Sequence, residues 1–207
     1  LVRARSLDEI VAVLRDTARA TVGAEGIAVV IGHEGFCSYV AEDGVSPLWQ
    51  GQTFPADQCI SGWVMRCGET VAISDVRRDS RIPQEAYTPT FVRSLVMAPI
   101  GRPEVVAALG AYWSEVRTHD SDTIKRLESL AHLATIAIEN VRLAQARNFA
   151  AARGAAQNRI LEFAVGVTPL KVALDAIILE VEALSPSGFL GSILLLNEAG
   201  DHLQYCA

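Results

Sequence analysis

The sequence predicts an α/β (α+β) fold: a central antiparallel sheet with helices on its faces, then one long helix, then the truncated start of a second such domain. Three observations carry this. Apolar, β-branched runs at 27–31, 92–100 and 105–114 are short and bounded by glycine and proline turns, the signature of strands. Residues 121–165 contain no proline and one interior glycine, Gly154, with apolar residues at helical spacing. The order helix, strand, glycine-ended turn, strand that opens the chain recurs at an offset of about 165 residues, with Ile31 matching Leu196 and Gly35 matching Gly200.

Each element has a local cause. Ser6 and Glu9 form a capping box that opens a helix through Ile10, Val11, Leu14 and Ala18 and ends near Gly23. Ile27–Ile31 reads as a buried strand, Gly32–Gly35 as a turn and Phe36–Val40 as the partner strand. The segment 45–54, with Pro47, reads mostly as loop. Ile60–Arg66 is a short helix that Gly68 stops, and Gly62 allows it to approach the sheet. Thr70–Ile73 is a short strand, followed by a polar loop, 76–89, with a short helix at Gln84–Tyr87. Val92–Ile100 and Val105–Ser114 form a long hairpin across a Gly101–Glu104 turn.

Asp120 and Asp122 favour a helix N-terminus. From Ser121 to about Val165 a single rod of roughly 65 Å is expected at ~1.5 Å per residue. One stripe runs through Ile124, Leu127, Ala131, Ala134, Ile138, Val141, Gln145, Phe149, Ile160 and Phe163. It reads as a coiled-coil seam, with Ile138, Val141, Phe149, Ile160 and Phe163 meeting a second copy in a parallel homodimer. The Ala-rich half after Arg147 has no local domain left to cover. Thr168 and Pro169 restart a helix. The expected divisions are therefore 6–145, one complete domain; 146–167, a coiled-coil linker helix; and 168–207, the incomplete start of a second domain.

Composition narrows the function. The chain has 207 residues, half of them hydrophobic, and a formal charge of -6. That excludes a phosphate-backbone binder, which needs a basic face, so no nucleic-acid partner is expected. No apolar run reaches the roughly 18 residues of a membrane span. The first residue is Leu, which suggests a chain cut from a longer one. Cys37, Cys59, Cys67 and Cys206 contain no C-x-x-C, and the four histidines form no metal-binding pair. Isolated thiols fit a reducing, cytoplasmic setting, and no metal is expected.

Two blocks carry a family resemblance. One is Gly62-Trp63-Val64-Met65-Arg66-Cys67-Gly68-Glu69-Thr70-Val71-Ala72-Ile73-Ser74-Asp75; the other is Arg93-Ser94-Leu95-Val96-Met97-Ala98-Pro99-Ile100 with Val106–Trp113 after it. They resemble GAF domains over about residues 6–145, and Gly191–Leu196 looks like the first strand of a second one. The resemblance implies a regulatory input module of a bacterial signalling protein, a two-component sensor histidine kinase first and a diguanylate cyclase or phosphodiesterase as the alternative. It implies no catalysis in this fragment.

The resemblance also places a small-molecule cavity between the sheet and residues 59–91. Tyr39, Trp49, Cys59, Trp63, Asp75, Tyr87, Phe91, Arg93 and Trp113 are its candidate lining, with Asp75 read first as a loop-building residue that accepts amide hydrogen bonds. A cavity filled by these side chains is the competing expectation. Residues 68–113 hold no cysteine, which argues against a covalently attached bilin, and no Asn-Lys pair marks a cyclic-nucleotide site. No cofactor is assigned. A third reading, a methionine sulfoxide reductase acting through Cys59 and Cys67, lacks a basic partner beside either thiol.

Overall fold

The computed structural model describes residues 6–165, 169–183, 188, 190–197 and 199–206. The chain divides into two compact units, Leu1–Arg142 and Leu143–Ala207.

In the first unit, α1 (Leu7–Val22) begins where the Ser6 hydroxyl accepts the Glu9 amide at 3.2 Å and ends at Gly23, whose φ of 64° places it in the left-handed region. Six strands follow: β1 (Gly26–His33), β2 (Phe36–Gly44), β3 (Thr53–Pro55), β4 (Val71–Ile73), β5 (Ser94–Ile100) and β6 (Ala107–Trp113). They form one antiparallel sheet in the order β3-β2-β1-β6-β5-β4. Between the strands lie α2 (Ile60–Cys67) and the four-residue α3 (Gln84–Tyr87). The segment 45–54 is mostly loop as expected, and β3 begins at its end. Three residues beginning at Thr53 are too short a run to show strand periodicity, and they are held only by pairing with β2.

The sheet is buried on both faces. Ile27, Val29, Val96, Ala98, Leu109, Ala111 and Trp113 pack against α1 and the first half of α4 (Ser121–Val165). Ala28, Val30, Leu95, Met97, Ala108 and Tyr112 face the other way, toward α2 and the loops. This is the alternation a pleated strand imposes.

β2 obeys that alternation only because it is interrupted. Val29 sits opposite Ala41 and Val30 opposite Tyr39, so Val40 is an extra residue in β2. Ala41 therefore faces the helices, while Tyr39 and Cys37 face α2. One inserted residue has exchanged the faces of the strand on either side of it.

Gly62 is needed for a different contact from the one its sequence suggested. A Cβ there would lie 1.9 Å from the Ala56 carbonyl oxygen. The glycine admits the loop after β3, whose backbone crosses α2 closely, rather than the sheet.

Ile138 and Val141 correct the expected seam of α4. Each is only 8% exposed and sits in the core under the sheet of its own unit. In the second unit, Ala156 of α4 is buried and Arg159 makes a two-pronged ion pair at 2.5 Å with Glu180 of α5 (Leu170–Ala183). The Ala-rich half of α4 thus has a local neighbour, contrary to expectation. A hairpin of β7 (Leu194–Leu196) and β8 (Leu203–Tyr205) follows. The Thr168 cap and the Phe163 side chain lie outside the described residues.

The entry to α4 is built from His119 and Asp120. The Asp120 carboxylate accepts the Thr123 amide at 2.6 Å, a helix cap. His119 is buried against the Trp113 ring, with centroids 4.5 Å apart, and neither ring nitrogen finds a partner among the described residues. Burial, and then the nearby Arg117 charge, hold its pKa below the ordinary value. The unfolded chain, with a histidine pKa of about 6.5, therefore takes up this proton before the folded one does. Stability is full above that value and falls as pH drops toward the folded pKa. His119→Phe keeps the ring stacking and removes the titration. Urea melts at pH 7 and pH 5 are expected to show a smaller acid-induced loss for His119→Phe than for wild type; equal losses would refute this.

Candidate functional site

The face of the sheet turned to α2 carries an aromatic cluster. Trp49 is at its centre, with ring centroids 5.4 Å from Tyr39, 4.6 Å from Tyr87 and 5.3 Å from Tyr112. Phe54 stands edge-on to Tyr39 at 5.6 Å. Trp63 and Phe91 are partly buried at the cluster's margin, and Cys59 lies within it.

Trp49 is fixed by a carboxylate. The two Glu42 oxygens accept the amides of Leu48, Trp49 and Gln50 at 2.9, 2.7 and 2.7 Å. Three donors converging on one charged group hold the loop strongly. The indole Nε1 in turn donates to the Ala86 carbonyl at 3.0 Å, tying the β2–β3 loop to α3.

Gly110 makes room for Tyr112. A Cβ at 110 would lie 2.3 Å from the Tyr112 hydroxyl oxygen. The tyrosine folds back along its own strand over position 110, and only glycine leaves that space.

Polar atoms collect inside this apolar setting. The Tyr87 and Tyr112 hydroxyls are buried with no partner among the described residues, as is the Ser94 hydroxyl. Cys59 Sγ lies 3.2 Å from the Ser61 hydroxyl. Burial pushes the phenols of Tyr39, Tyr87 and Tyr112 above their ordinary values; for Tyr39 a hydrogen bond with Ser61 opposes the shift. All three are neutral donors at physiological pH.

The loop from Ser74 to Phe91 covers one side. Asp75 accepts the Arg77 amide at 3.0 Å and pairs with Arg78 at 3.6 Å, which makes it a loop-building residue. Asp79 holds the Arg81 guanidinium at 2.9 and 2.6 Å, a pairing that lowers the Asp79 pKa. That guanidinium lies 4.6 Å over the Trp63 ring, a cation–π contact.

Of the residues expected to line a cavity, Tyr39, Trp49, Cys59 and Tyr87 converge, and Trp63 and Phe91 flank them. Trp113 does not. It lies on the opposite face, with its Nε1 donating to the Gly23 carbonyl at 2.9 Å. Asp75 is engaged within its own loop, and Arg93 Nε is buried without a partner among the described residues. Sequence reasoning missed Tyr112, Ser61 and Cys37. Strict alternation from Ala108 would have found Tyr112. Cys37 depends on the bulge, and Ser61 carries no signal of its own. Cys59 and Cys67 bracket α2, so about 12 Å of helix separates them and they form no redox pair. Among the described residues no group of three or more His, Cys, Asp or Glu side chains could hold a metal ion.

Residues 4–139 match the family model described as GAF domain. No curated protein matches the sequence. Several solved structures share the fold. The GAF domain of a two-component sensor histidine kinase from Bacillus halodurans is 20% identical, with 69% of this chain and 99% of that one covered and a TM-score of 0.58. The blue-light-absorbing form of the PixJ GAF domain from Thermosynechococcus elongatus is 18% identical, covering 70% and 95%, with a TM-score of 0.59. Free methionine-R-sulfoxide reductase from Neisseria meningitidis, solved with its substrate, is 20% identical, covering 65% and 81%, with a TM-score of 0.56.

The Glu42 clamp is testable on its own. Glu42→Gln removes the charge and points an NH2 at amide donors. A loss of about 1–3 kcal/mol is expected, with a red shift of tryptophan fluorescence as Trp49 loosens. A variant with the wild-type urea midpoint and spectrum would show that Glu42 does not hold the loop.

Proposed function

The chain belongs to the GAF domain family, and from that premise we propose that it is a sensory input module: a small molecule on the α2 face of the sheet alters the setting of α4, which relays the change to an output domain. One observation carries the reading. The strands that present Tyr39, Tyr112 and Met97 to the aromatic cluster present Ala41, Leu109, Ala111 and Val96 to the helices behind. The two sites share one layer of backbone.

The orphan Tyr87 and Tyr112 hydroxyls favour a ligand with hydrogen-bond acceptors. An unmade hydrogen bond at a buried donor costs free energy that such a ligand recovers. The output we favour is a two-component histidine kinase, in keeping with neighbours such as the Bacillus halodurans domain. On this reading the fragment itself is not an enzyme, and its setting is the cytoplasm; no helix among the described residues is long and apolar enough to cross a membrane. The second unit is the opening part of another GAF domain, because α5, β7 and β8 repeat the order of α1, β1 and β2.

Relay through α4 calls for a homodimer. Ile138 and Val141 are spent on the core, so the contact falls to exposed residues of the same helix. In the second unit these include Leu143 (62% exposed), Phe149 and Leu161 (60% exposed). Leu143 and Leu161 are eighteen residues apart, five full turns at 3.6 residues per turn, and so share one face.

Two experiments test these readings. Native mass spectrometry of protein taken gently from cells is expected to show a retained small molecule. Tyr112→Phe should lose it while the ligand-free protein stays as stable as wild type or gains slightly, since an unpaired buried hydroxyl has been removed. An empty wild-type protein together with a destabilised variant would remove the ligand reading. For the dimer, light scattering should give twice the chain mass for wild type and the chain mass for a Leu143→Glu, Leu161→Glu variant; a monomeric wild type would exclude the seam.

A further inference from the structure

The ligand reading gives no chemistry to the thiols of Cys37 and Cys59, yet the fold places both in one cluster. The bulge at Val40 turns Cys37 toward α2. Pairing of β2 with β3 sets Cys37 opposite Phe54, and the Ala56 amide donates to the Gly35 carbonyl at 2.9 Å. The chain is thereby folded back so that Cys59, the residue that caps α2, enters the cluster to which Cys37 belongs. Both thiols belong to the same buried cluster and are unbridged. Cys37 is fully buried, at 0% exposure, whereas Cys59 keeps 5%. A small molecule arriving from outside meets Cys59 first.

We propose that Cys59 is a site of oxidation by a small hydroperoxide, and that Cys37 resolves the product into a Cys37–Cys59 disulfide. In the first step the Cys59 thiolate attacks the peroxide. An S–O bond forms, the O–O bond breaks, and the leaving hydroxide or alkoxide takes up the proton that Cys59 gave. In the second step the Cys37 sulfur attacks the Cys59 sulfenic acid. The S–S bond forms, the S–O bond breaks, and hydroxide leaves with the Cys37 proton as water. The thiol pair loses two electrons and the hydroperoxide gains them.

The surroundings suit these roles. The neighbouring Cys37 thiol lowers the Cys59 pKa below the ordinary thiol value, and the Ser61 hydroxyl and the Gly62 and Ser61 amides at the start of α2 add to it, against the opposing effect of burial. Cys37 is pushed the other way, by Cys59 beside it and by burial. The more accessible sulfur is also the better nucleophile. Closing the bridge would pin the start of α2 to β2 and take the Cys59 sulfur from Ser61, whose hydroxyl also serves Tyr39. Oxidation would thus register within the aromatic cluster.

The test treats the full chain with hydrogen peroxide in small molar excess and reads intact mass and non-reducing peptide maps. The expected result is a peptide linking Cys37 to Cys59 that forms before Cys67, exposed at the other end of α2, is oxidised, and that dithiothreitol reverses. Cys37→Ser should stop at a Cys59 sulfenic acid that dimedone traps. Cys67→Ser, a surface change, should leave the linkage intact and guards against a misfolded Cys37→Ser. Wild-type protein in which Cys67 oxidises while Cys37 and Cys59 stay reduced, or in which the bridge uses Cys67 or Cys206, would overturn the proposal.

Discussion

Both faces of β1, β5 and β6 are buried, and the rest of the first unit follows from that constraint. A strand covered on both sides has no solvent face on which to place a poorly fitting side chain. Each residue is assigned to the helix side or to the α2 side by parity alone. The helix side takes Leu109, Ala111 and Val96, small and branched groups that let α1 and α4 lie close. The other side takes Met97 and Tyr112, with Gly110 between them as the space into which the tyrosine folds. Close-packed interiors have low compressibility and transmit strain, and here the two faces share one layer of backbone. On the proposed reading, this shared layer carries a change from one face to the other.

The bulge at Val40 is the second determinant. Without it, Tyr39 and Cys37 would share the face of Ala41 and point at the helices. With it, they enter the cluster, and Glu42 remains just beyond the kink to gather the amides of the following loop. One inserted residue thus supplies a ring, a thiol and the anchorage of Trp49. Bulges concentrate next to functional sites because they re-aim side chains without unmaking the sheet.

Local chemistry made much of this legible in the sequence. The Ser6 and Asp120 caps, the stops at Gly23 and Gly68 and the span of α4 each rest on residues adjacent in the chain, and they stand where expected. What was illegible depends on distant parts of the chain. Trp113 and Tyr112 are neighbours with the same propensity, and only the register of β6 against β1 and β5 decides which enters the cluster. The apolar stripe of α4 marked a buried face but could not say what buries it. Ile138 and Val141 are covered by the chain's own sheet, and that competition between core and partner is settled by tertiary packing, not periodicity. The Cys37–Cys59 contact requires the bulge, the β3 edge and the α2 entry together.

The anchoring of the aromatic rings bears on which of them a ligand would displace. The rings stand 4.6–5.6 Å apart and fill the space between them, so a ligand on this face must move one. Trp49 is held by its Nε1 bond and by the Glu42 clamp, and Tyr39 by Ser61. Tyr112 belongs to a central strand. Tyr87 has no such clamp: it rides on a four-residue helix within a loop, and its hydroxyl makes no geometric hydrogen bond among the described residues. Moving it leaves the Glu42 clamp in place and can bring a buried hydroxyl to an acceptor, so it is the least costly ring to displace. Its displacement would also disturb the Trp49–Ala86 bond, because Ala86 precedes it in α3. The same short helix would then serve as both the cover of the site and the first element to report that the site is filled.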